Sequence, residues 1–368
     1  MSERGPILQL LVSTRAGGGP QHVLTAVLGL RRRGWRFVVA GPGGGPMAGQ
    51  FRAAGVDMVM LPTDRLRPLT LLRLVRLIRA QGVRLVHSHG KGAGMYGRLA
   101  ARLVGVPAVH TFHGLHYERY PGPVRAGYLA LERRLSAMTR TVVNVSHAQE
   151  LEGLGLGLFT RDQSRVVLNG VDVARLGAAA LERRDARAAL GLDLGAAVVG
   201  CAARFDEVKR LDVLVRAAAL SPGFTLALIG DGPEAAKLRR LAADIGVTRR
   251  LRLAGEVPEA APLFPAFDVF ASSARKEGLP LAVVEAMALG LAVVASDIPA
   301  HREVLGEPCD GLVTGTAEAF AGRLTSVLDD AGLRARLGAE NRTRARSEFD
   351  ARDMLAGLEG VYEDALAL

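Results

Sequence analysis

Aromatic residues make up only 5% of this 368-residue chain, and cysteine occurs twice. Cys201 and Cys309 form no CxxC pair or spaced framework, which excludes a disulfide miniprotein and gives no sign of a structural zinc site. A reducing cytoplasm fits that usage. Long apolar runs are missing too: nothing approaches the roughly eighteen residues of a spanning helix, so no integral membrane protein is expected. The start, Met1 to Gly19, carries Glu3 and Arg4 and then only the short apolar run Ile7 to Val12, too brief for a secretory signal. What is present is a globular balance of 49% hydrophobic and 23% charged residues. At about 150 residues per domain, this length suggests two domains, each with a full core.

Acid is scarce in one half. Residues 1–170 hold 23 Lys and Arg against 8 Asp and Glu, a net +15, whereas residues 171–368 hold 24 against 29, a net −5. Only four of the 47 basic residues are lysine, which codon bias explains. Codon bias does not explain why acidic residues avoid the first half, so a basic face that meets an extended anion is expected there. Nucleic acid is a poor candidate for that anion, because recognition motifs are absent and stacking aromatics are few.

Short runs rich in Val, Ile and Leu recur, each followed by a turn and a stretch of helical period, as in βαβ units around parallel sheets. The first series comprises Ile7 to Ser13, Phe37 to Gly41, Met58 to Leu61, Arg84 to Ser88, Ala108 to Phe112, Thr141 to Ser146 and Arg165 to Leu168. Helices are expected between them at Gln21 to Arg33, Leu69 to Gln81 and Gly94 to Val104. A second series comprises Ala197 to Ala202, Thr225 to Ile229, Leu251 to Ala254, Val269 to Ser272, Ala292 to Ala295 and Leu312 to Val313. The fold class is therefore α/β, with two Rossmann-like doubly wound domains, 1–170 and 171–350, meeting at a hinge near Asn169 to Asp172. From about Thr316 to Leu368 only helices are expected.

Ligands of open parallel sheets bind beyond the carboxyl ends of strands, so the residues after each strand carry the functional reading. Gly17, Gly18 and Gly19 follow the first strand and open a helix, a turn that suits a phosphate or sugar. Gly41 and Gly43 to Gly45 read as a plain loop. Five of the eight histidines fall together, at His87, His89, His110, His113 and His116. They lack the helical HExxH arrangement, and those on strands are read as divided between opposite faces, so packing and substrate hydrogen bonds are expected rather than a metal. His113 is the best placed to face a ligand. In the second half Arg204 follows a strand and Lys209 lies at or near the start of the helix Arg210 to Leu220, two cations suited to a departing diphosphate. Glu277 stands in a loop before Pro280, whose position opens a helix and leaves the amides near Gly278, Leu279, Pro280 and Leu281 for phosphate or sugar hydroxyls. Glu285 sits among Val283, Val284, Ala286 and Met287, where a carboxylate needs partners such as a ribose diol.

Arg204 with Lys209, the segment from Glu277 to Glu285 with its Gly-Leu-Pro-Leu, Asn169-Gly170-Val171-Asp172, and Ile229-Gly230-Asp231-Gly232-Pro233-Glu234 together resemble the retaining, family-4 type of glycosyltransferase. The likeness runs from about Ile7 to Leu368, departing only at Ala203 and Arg210, where the family often has glycine. The resemblance implies a GT-B fold, two Rossmann-like domains facing a cleft, with acceptor in the first, nucleotide sugar in the second, and a last helix, about 351–368, returning to the first domain. It makes Arg204 and Lys209 the diphosphate clamp, Glu285 the ribose ligand, Glu277 a contact of the donor sugar and His113 a contact of sugar or acceptor. Gly18 or Gly19 would approach the diphosphate, and Gly255, Glu256 and Val257 would line the base pocket through backbone. It implies no metal cofactor and no dedicated nucleophile.

The expected reaction moves a hexose or N-acetylhexosamine from a UDP sugar, with GDP second, to a lipid-linked or other glycan precursor. A small soluble acceptor and a nucleotide-sugar epimerase are the alternatives. The basic first domain is expected to bind an anionic membrane surface peripherally, at the inner face of the cell membrane. Arg31 to Arg33, Arg65, Arg67, Arg73, Arg76, Arg79, Arg125, Arg133 and Arg134 are its cations, while Leu72, Val75, Leu77 and Ile78 are expected to face inward.

Overall fold

Seven apolar runs of the first half form one parallel sheet in the computed structural model: β1 (Ile7–Leu11), β2 (Phe37–Gly41), β3 (Met58–Met60), β4 (Leu85–His89), β5 (Ala108–Phe112), β6 (Thr141–Asn144) and β7 (Ser164–Val166). Their order is β3-β2-β1-β4-β5-β6-β7. Six more strands form a second parallel sheet: β8 (Val198–Ala202), β9 (Thr225–Ile229), β10 (Leu251–Gly255), β11 (Val269–Ser272), β12 (Ala292–Ser296) and β13 (Leu312–Val313), ordered β10-β9-β8-β11-β12-β13. β1, β4 and β5 are buried along their whole length, as expected of strands covered by helices on both faces. Residues 5–115, 117–118 and 120–367 are described; Glu3, Arg4, His116 and Leu368 lie outside them.

The chain divides into two compact units, residues 1–169 with 352–368, and residues 170–351. The last helix, Ala351–Leu366, puts Met354, Leu355, Leu358, Val361 and Tyr362 into a cluster with Ile7, Leu30, Trp35, Val109 and Val167 of the first unit. The second unit's core gathers Val199, Leu214, Leu226, Leu228 and Val294 with Phe320 and Leu324 of the helix Ala317–Asp329. Strand order reverses between β1 and β4 in the first sheet and between β8 and β11 in the second. At such a reversal the connections leave in opposite directions and open a crevice past the strand ends. The loops after β1 and β4, and after β8 and β11, are therefore the functional ones.

Two expectations need correction. The pair His87 and His89 does not divide between faces: the two are two residues apart, the period of a strand, so both point the same way with ring centroids 4.1 Å apart, whereas His110, whose Nδ1 is 2.9 Å from Ser88 Oγ, lies on the opposite face. Leu72 does not face inward but is 45% exposed, because it lies about 200° around the helix Pro68–Ala80 from buried Leu74. The Gly43 to Gly45 stretch is a loop, as expected, and a tight one: a Cβ on Gly45 would stand 2.1 Å from the Thr14 carbonyl oxygen.

Candidate active site

The switch point of the second sheet brings two loops together. β8 continues through Arg204 and a single 3-10 turn, Glu207–Lys209, to the helix Leu211–Leu220. Arg210, between turn and helix, has φ of 49°, so the chain turns sharply just after Lys209. Ser273, past β11, donates from Oγ to the carbonyls of Lys209 and Arg210 at 2.9 Å each, and the Arg275 amide donates to the Val208 carbonyl at 2.9 Å. With its backbone held this way, Lys209 reaches Glu277: Nζ to Oε1 is 2.5 Å, with side chains 24% and 14% exposed. The two residues are 68 apart in sequence.

Arg204 lies on the same loop, but its guanidinium is exposed and pairs with Asp206 rather than with Glu277. The motif Gly230-Asp231-Gly232 shapes this loop. The Phe205 amide donates to the Asp231 carbonyl at 2.9 Å, and the Ala203 amide to the Ile229 carbonyl at 3.0 Å. A Cβ on Gly230, whose φ is 136°, would stand 1.9 Å from the Ala203 carbonyl oxygen, so glycine is required there. The Gly230 amide also donates to the Gly255 carbonyl at 2.8 Å, which places the ends of β8, β9 and β10 side by side. Gly255 and Val257, partly buried, and Glu256, exposed, thus lie next to the Arg204 loop.

The helix Leu281–Ala288 has Pro280 as its cap residue and no side-chain cap. The Val283 and Val284 amides donate to the Pro280 carbonyl at 2.9 and 3.2 Å, which leaves the amides of Leu281 and Ala282, just past Gly278 and Leu279, at the positive end of the helix. Glu285, one turn on, is partly buried, and the protein packed around its carboxyl pushes its pKa up to about 7, with repulsion from Glu259 adding to this. Behind the site, His301 is fully buried between Ser272 Oγ, 3.0 Å from Nε2, and the Ser296 carbonyl, 2.7 Å from Nδ1. Burial pushes the Cys201 thiol up to about 12, so it is no nucleophile.

In the first unit, the helix Gly18–Arg31 leaves β1 at the switch point with Gly17 as cap residue and no side-chain cap. A Cβ on Gly19 would lie 3.3 Å from His113 Cδ2, so the glycine turn rests against the imidazole. His113, one residue past β5, has Nε2 3.0 Å from His89 Nδ1. Gln149 clasps this loop, accepting from the Gly114 amide at 2.8 Å and donating to the Phe112 carbonyl at 2.9 Å. Burial drives His22 down to about 4 and holds His87, His89, His110 and His113 well below the usual imidazole range. These rings are neutral hydrogen-bonding groups at ordinary pH.

Lys209 and Glu277 are thus brought into contact, as are Gly19 and His113, while Arg204 is tied to Asp206. Asp206, Ser273, His301 and Glu259 carry no sequence signal, because each acts through a partner distant in the chain or on an adjacent loop. Among the described residues, no group of three or more His, Cys, Asp or Glu is arranged to hold a metal ion.

The family model for glycosyl transferases group 1 matches residues 182–344, and that for glycosyltransferase family 4 matches residues 16–175. A D-inositol 3-phosphate glycosyltransferase of Acidothermus cellulolyticus is 31% identical over 341 residues, 83% of this chain and 74% of that protein. The UDP-Gal:alpha-D-GlcNAc-diphosphoundecaprenol alpha-1,3-galactosyltransferase of Escherichia coli is 29% identical over 274 residues, 71% of this chain and 70% of that one. Among solved structures, Anabaena HepE in complex with UDP and glucose has a TM-score of 0.86 at 21% identity, over 98% of this chain and 100% of that one. The two parallel-sheet units are those of the GT-B fold, and the chain belongs to the group 1, family 4 glycosyltransferases.

Proposed function

We propose that this glycosyltransferase is a retaining, metal-independent enzyme that moves a sugar from UDP to a hydroxyl of a lipid-linked glycan precursor. The observation that carries the reading is the Lys209–Glu277 pair at the second switch point, with Arg204 on the same loop and an uncapped helix opening at Leu281. Two cations and the first-turn amides neutralise a diphosphate as it departs, which is the task a metal performs elsewhere. Glu277, oriented by Lys209, accepts from hydroxyls of the donor sugar, and Glu285 accepts from the ribose diol. Gly255 to Val257 line the base, and Gly18, Gly19 and His113 of the first unit serve sugar and acceptor. As the anomeric carbon's bond to the diphosphate oxygen breaks, the acceptor oxygen bonds to that carbon from the same face and its proton passes to the departing phosphate oxygen. The configuration is thereby retained without a protein nucleophile.

The Escherichia coli relative is named for a UDP-linked sugar and a diphosphoundecaprenol acceptor, in keeping with UDP and a lipid-linked substrate here. A membrane location has support in the helix Pro68–Ala80 and the turn before it. Leu66, Leu69 and Leu72 are 81%, 64% and 45% exposed, and Arg65, Arg67, Arg73, Arg76 and Arg79 are exposed with them. Leucines flanked by arginines suit the interface of an anionic bilayer, bound peripherally at its inner face. No described helix is long and apolar enough to cross a membrane. The second reading, a small soluble acceptor, has the Acidothermus relative's printed substrate in its favour. The deciding screen is thermal shift of the purified protein against nucleoside diphosphates, followed by donor hydrolysis. UDP is expected to raise the melting temperature most. A chain indifferent to every nucleoside diphosphate overturns the proposal.

A further inference from the structure

Buried hydrogen bonds of the first unit run as one chain from the last helix to the imidazole beside Gly19. Gln9 of β1 donates from Nε2 to the Tyr362 phenol oxygen at 2.8 Å, and its Oε1 lies 2.7 Å from His89 Nε2. His89 Nδ1 is 3.0 Å from His113 Nε2. On the other branch His87 Nδ1 is 2.8 Å from the Tyr362 oxygen, and His87 Nε2 is 2.7 Å from Thr111 Oγ1. Gln9, His87, His89, Thr111 and Tyr362 are all at most 2% exposed.

A neutral imidazole holds one proton, so each ring donates through one nitrogen and accepts through the other. The Gln9 amide sets the direction. Its carbonyl takes the His89 Nε2–H, which leaves His89 Nδ1 bare to accept the His113 Nε2–H. Tyr362, receiving from the Gln9 amide nitrogen, donates to His87 Nδ1, and His87 Nε2–H goes to Thr111. Every contact then has one donor and one acceptor, and the chain ends at His113 Nδ1, a bare acceptor. That atom is buried and without a hydrogen-bond partner. His22 stands beside it, ring centroids 5.1 Å apart, with Nδ1 2.7 Å from Asn169 Oδ1 and its own Nε2 equally buried and unpartnered. An acceptor buried without a donor is destabilising, a cost that a ligand hydroxyl removes.

We propose that Tyr362, Gln9 and His89 are positioning residues that hold His113 as its Nε2–H tautomer, so that His113 Nδ1 accepts a hydrogen bond from a hydroxyl of the bound sugar. The proposal rests on the reading of His113 as a sugar contact. It gives the last helix a part in the chemistry beyond its apolar packing, because Tyr362 is the one residue of that helix in the relay.

Nitrogen-15 spectra of the full chain labelled at histidine read the tautomer directly, with His113 identified by the signal lost in His113→Gln. Wild type is expected to show a pyridine-type Nδ1 and a pyrrole-type Nε2, with Nδ1 moving on addition of UDP-glucose. Tyr362→Phe and Gln9→Met should mix the two tautomers and lower kcat for UDP-glucose turnover by about tenfold, with KM little changed. Gln9→Glu, whose carboxylate also accepts from His89 Nε2–H, should keep the wild-type tautomer. A melting curve for each variant separates unfolding from these effects. A pyrrole-type Nδ1 in the wild type, meaning that the chain runs the other way, overturns the proposal, as does an unchanged tautomer in both Tyr362→Phe and Gln9→Met. Undiminished turnover in His113→Gln removes His113 from the sugar site, a failure of the underlying reading that leaves the tautomer result standing by itself. If UDP and UDP-glucose both leave the melting temperature unmoved, the donor reading fails and the spectrum alone decides the relay.

Discussion

Replacing Glu285 by Gln removes a carboxylate whose pKa stands near 7 and leaves a neutral group of the same shape. The folded-state pKa is raised above its unfolded value of about 4.3, so the stability this group contributes is fully present below that value and is lost as pH rises through 7. The rise from about 4.3 to about 7 corresponds to somewhat under ~4 kcal/mol, and partial exposure of the side chain reduces this to about 2 kcal/mol. At pH 8 Glu285→Gln should therefore be the more thermostable protein, and near pH 4.5 the two should be equal. Ligand binding has the opposite preference, since a ribose diol donates to the ionised form. Between pH 6 and pH 8 the ionised fraction rises about tenfold, and UDP affinity should rise by that factor in wild type over its rise in Glu285→Gln. The comparison removes titration of the UDP phosphate, which is common to both proteins. Calorimetric titration at four or five pH values measures it. Parallel affinity profiles in the two proteins would refute the assignment of Glu285 to the ribose.

Donor turnover should survive excess chelator, because Arg204, Lys209 and the helix amides supply the positive charge; complete loss restored by manganese or magnesium would contradict this. Gly19→Ala should push the His113 ring by a few tenths of an ångström, leaving the melting temperature within a few degrees of wild type and lowering turnover several-fold, whereas unchanged turnover would separate the glycine turn from the site. Sedimentation with vesicles should require anionic lipid, weaken with salt, and fall when Arg73, Arg76 and Arg79 become Glu or when Leu66, Leu69 and Leu72 become Ser. Equal recovery with neutral and anionic vesicles would favour a soluble acceptor.

Strands were the most legible part of the fold, because buried parallel strands are unbroken apolar runs: β9, β11 and β13 coincide with their expected bounds. Helix starts were less so, and glycine is the reason. The helix Lys91–Val104 begins three residues before the expected Gly94, because glycine has low intrinsic helix propensity and Gly92 and Gly94 weaken the helical pattern of the first turn. A Cβ at Gly92 would lie 2.2 Å from the Thr63 carbonyl oxygen and one at Gly94 2.6 Å from His110 Cε1, so these glycines serve close packing. In the site, Lys209 and Glu277 were each legible from their loops, but their contact across 68 residues depends on Ser273 and on the left-handed Arg210, which no local pattern announces. The partner of Arg204 was likewise hidden, because Asp206 reads as an ordinary loop carboxylate.

Lys209→Ala is the sharpest probe of whether this site acts on a departing diphosphate. At about 4 Å and an effective dielectric of about 20, a unit charge contributes about 4 kcal/mol, and the 24% exposure of the side chain lowers this to about 3. Steady-state turnover of a UDP sugar should then show kcat reduced by about a hundredfold, with Lys209→Arg intermediate. A Lys209→Ala enzyme with normal kcat and only a raised KM would contradict the central claim, since the lysine would then bind the donor without stabilising its departure.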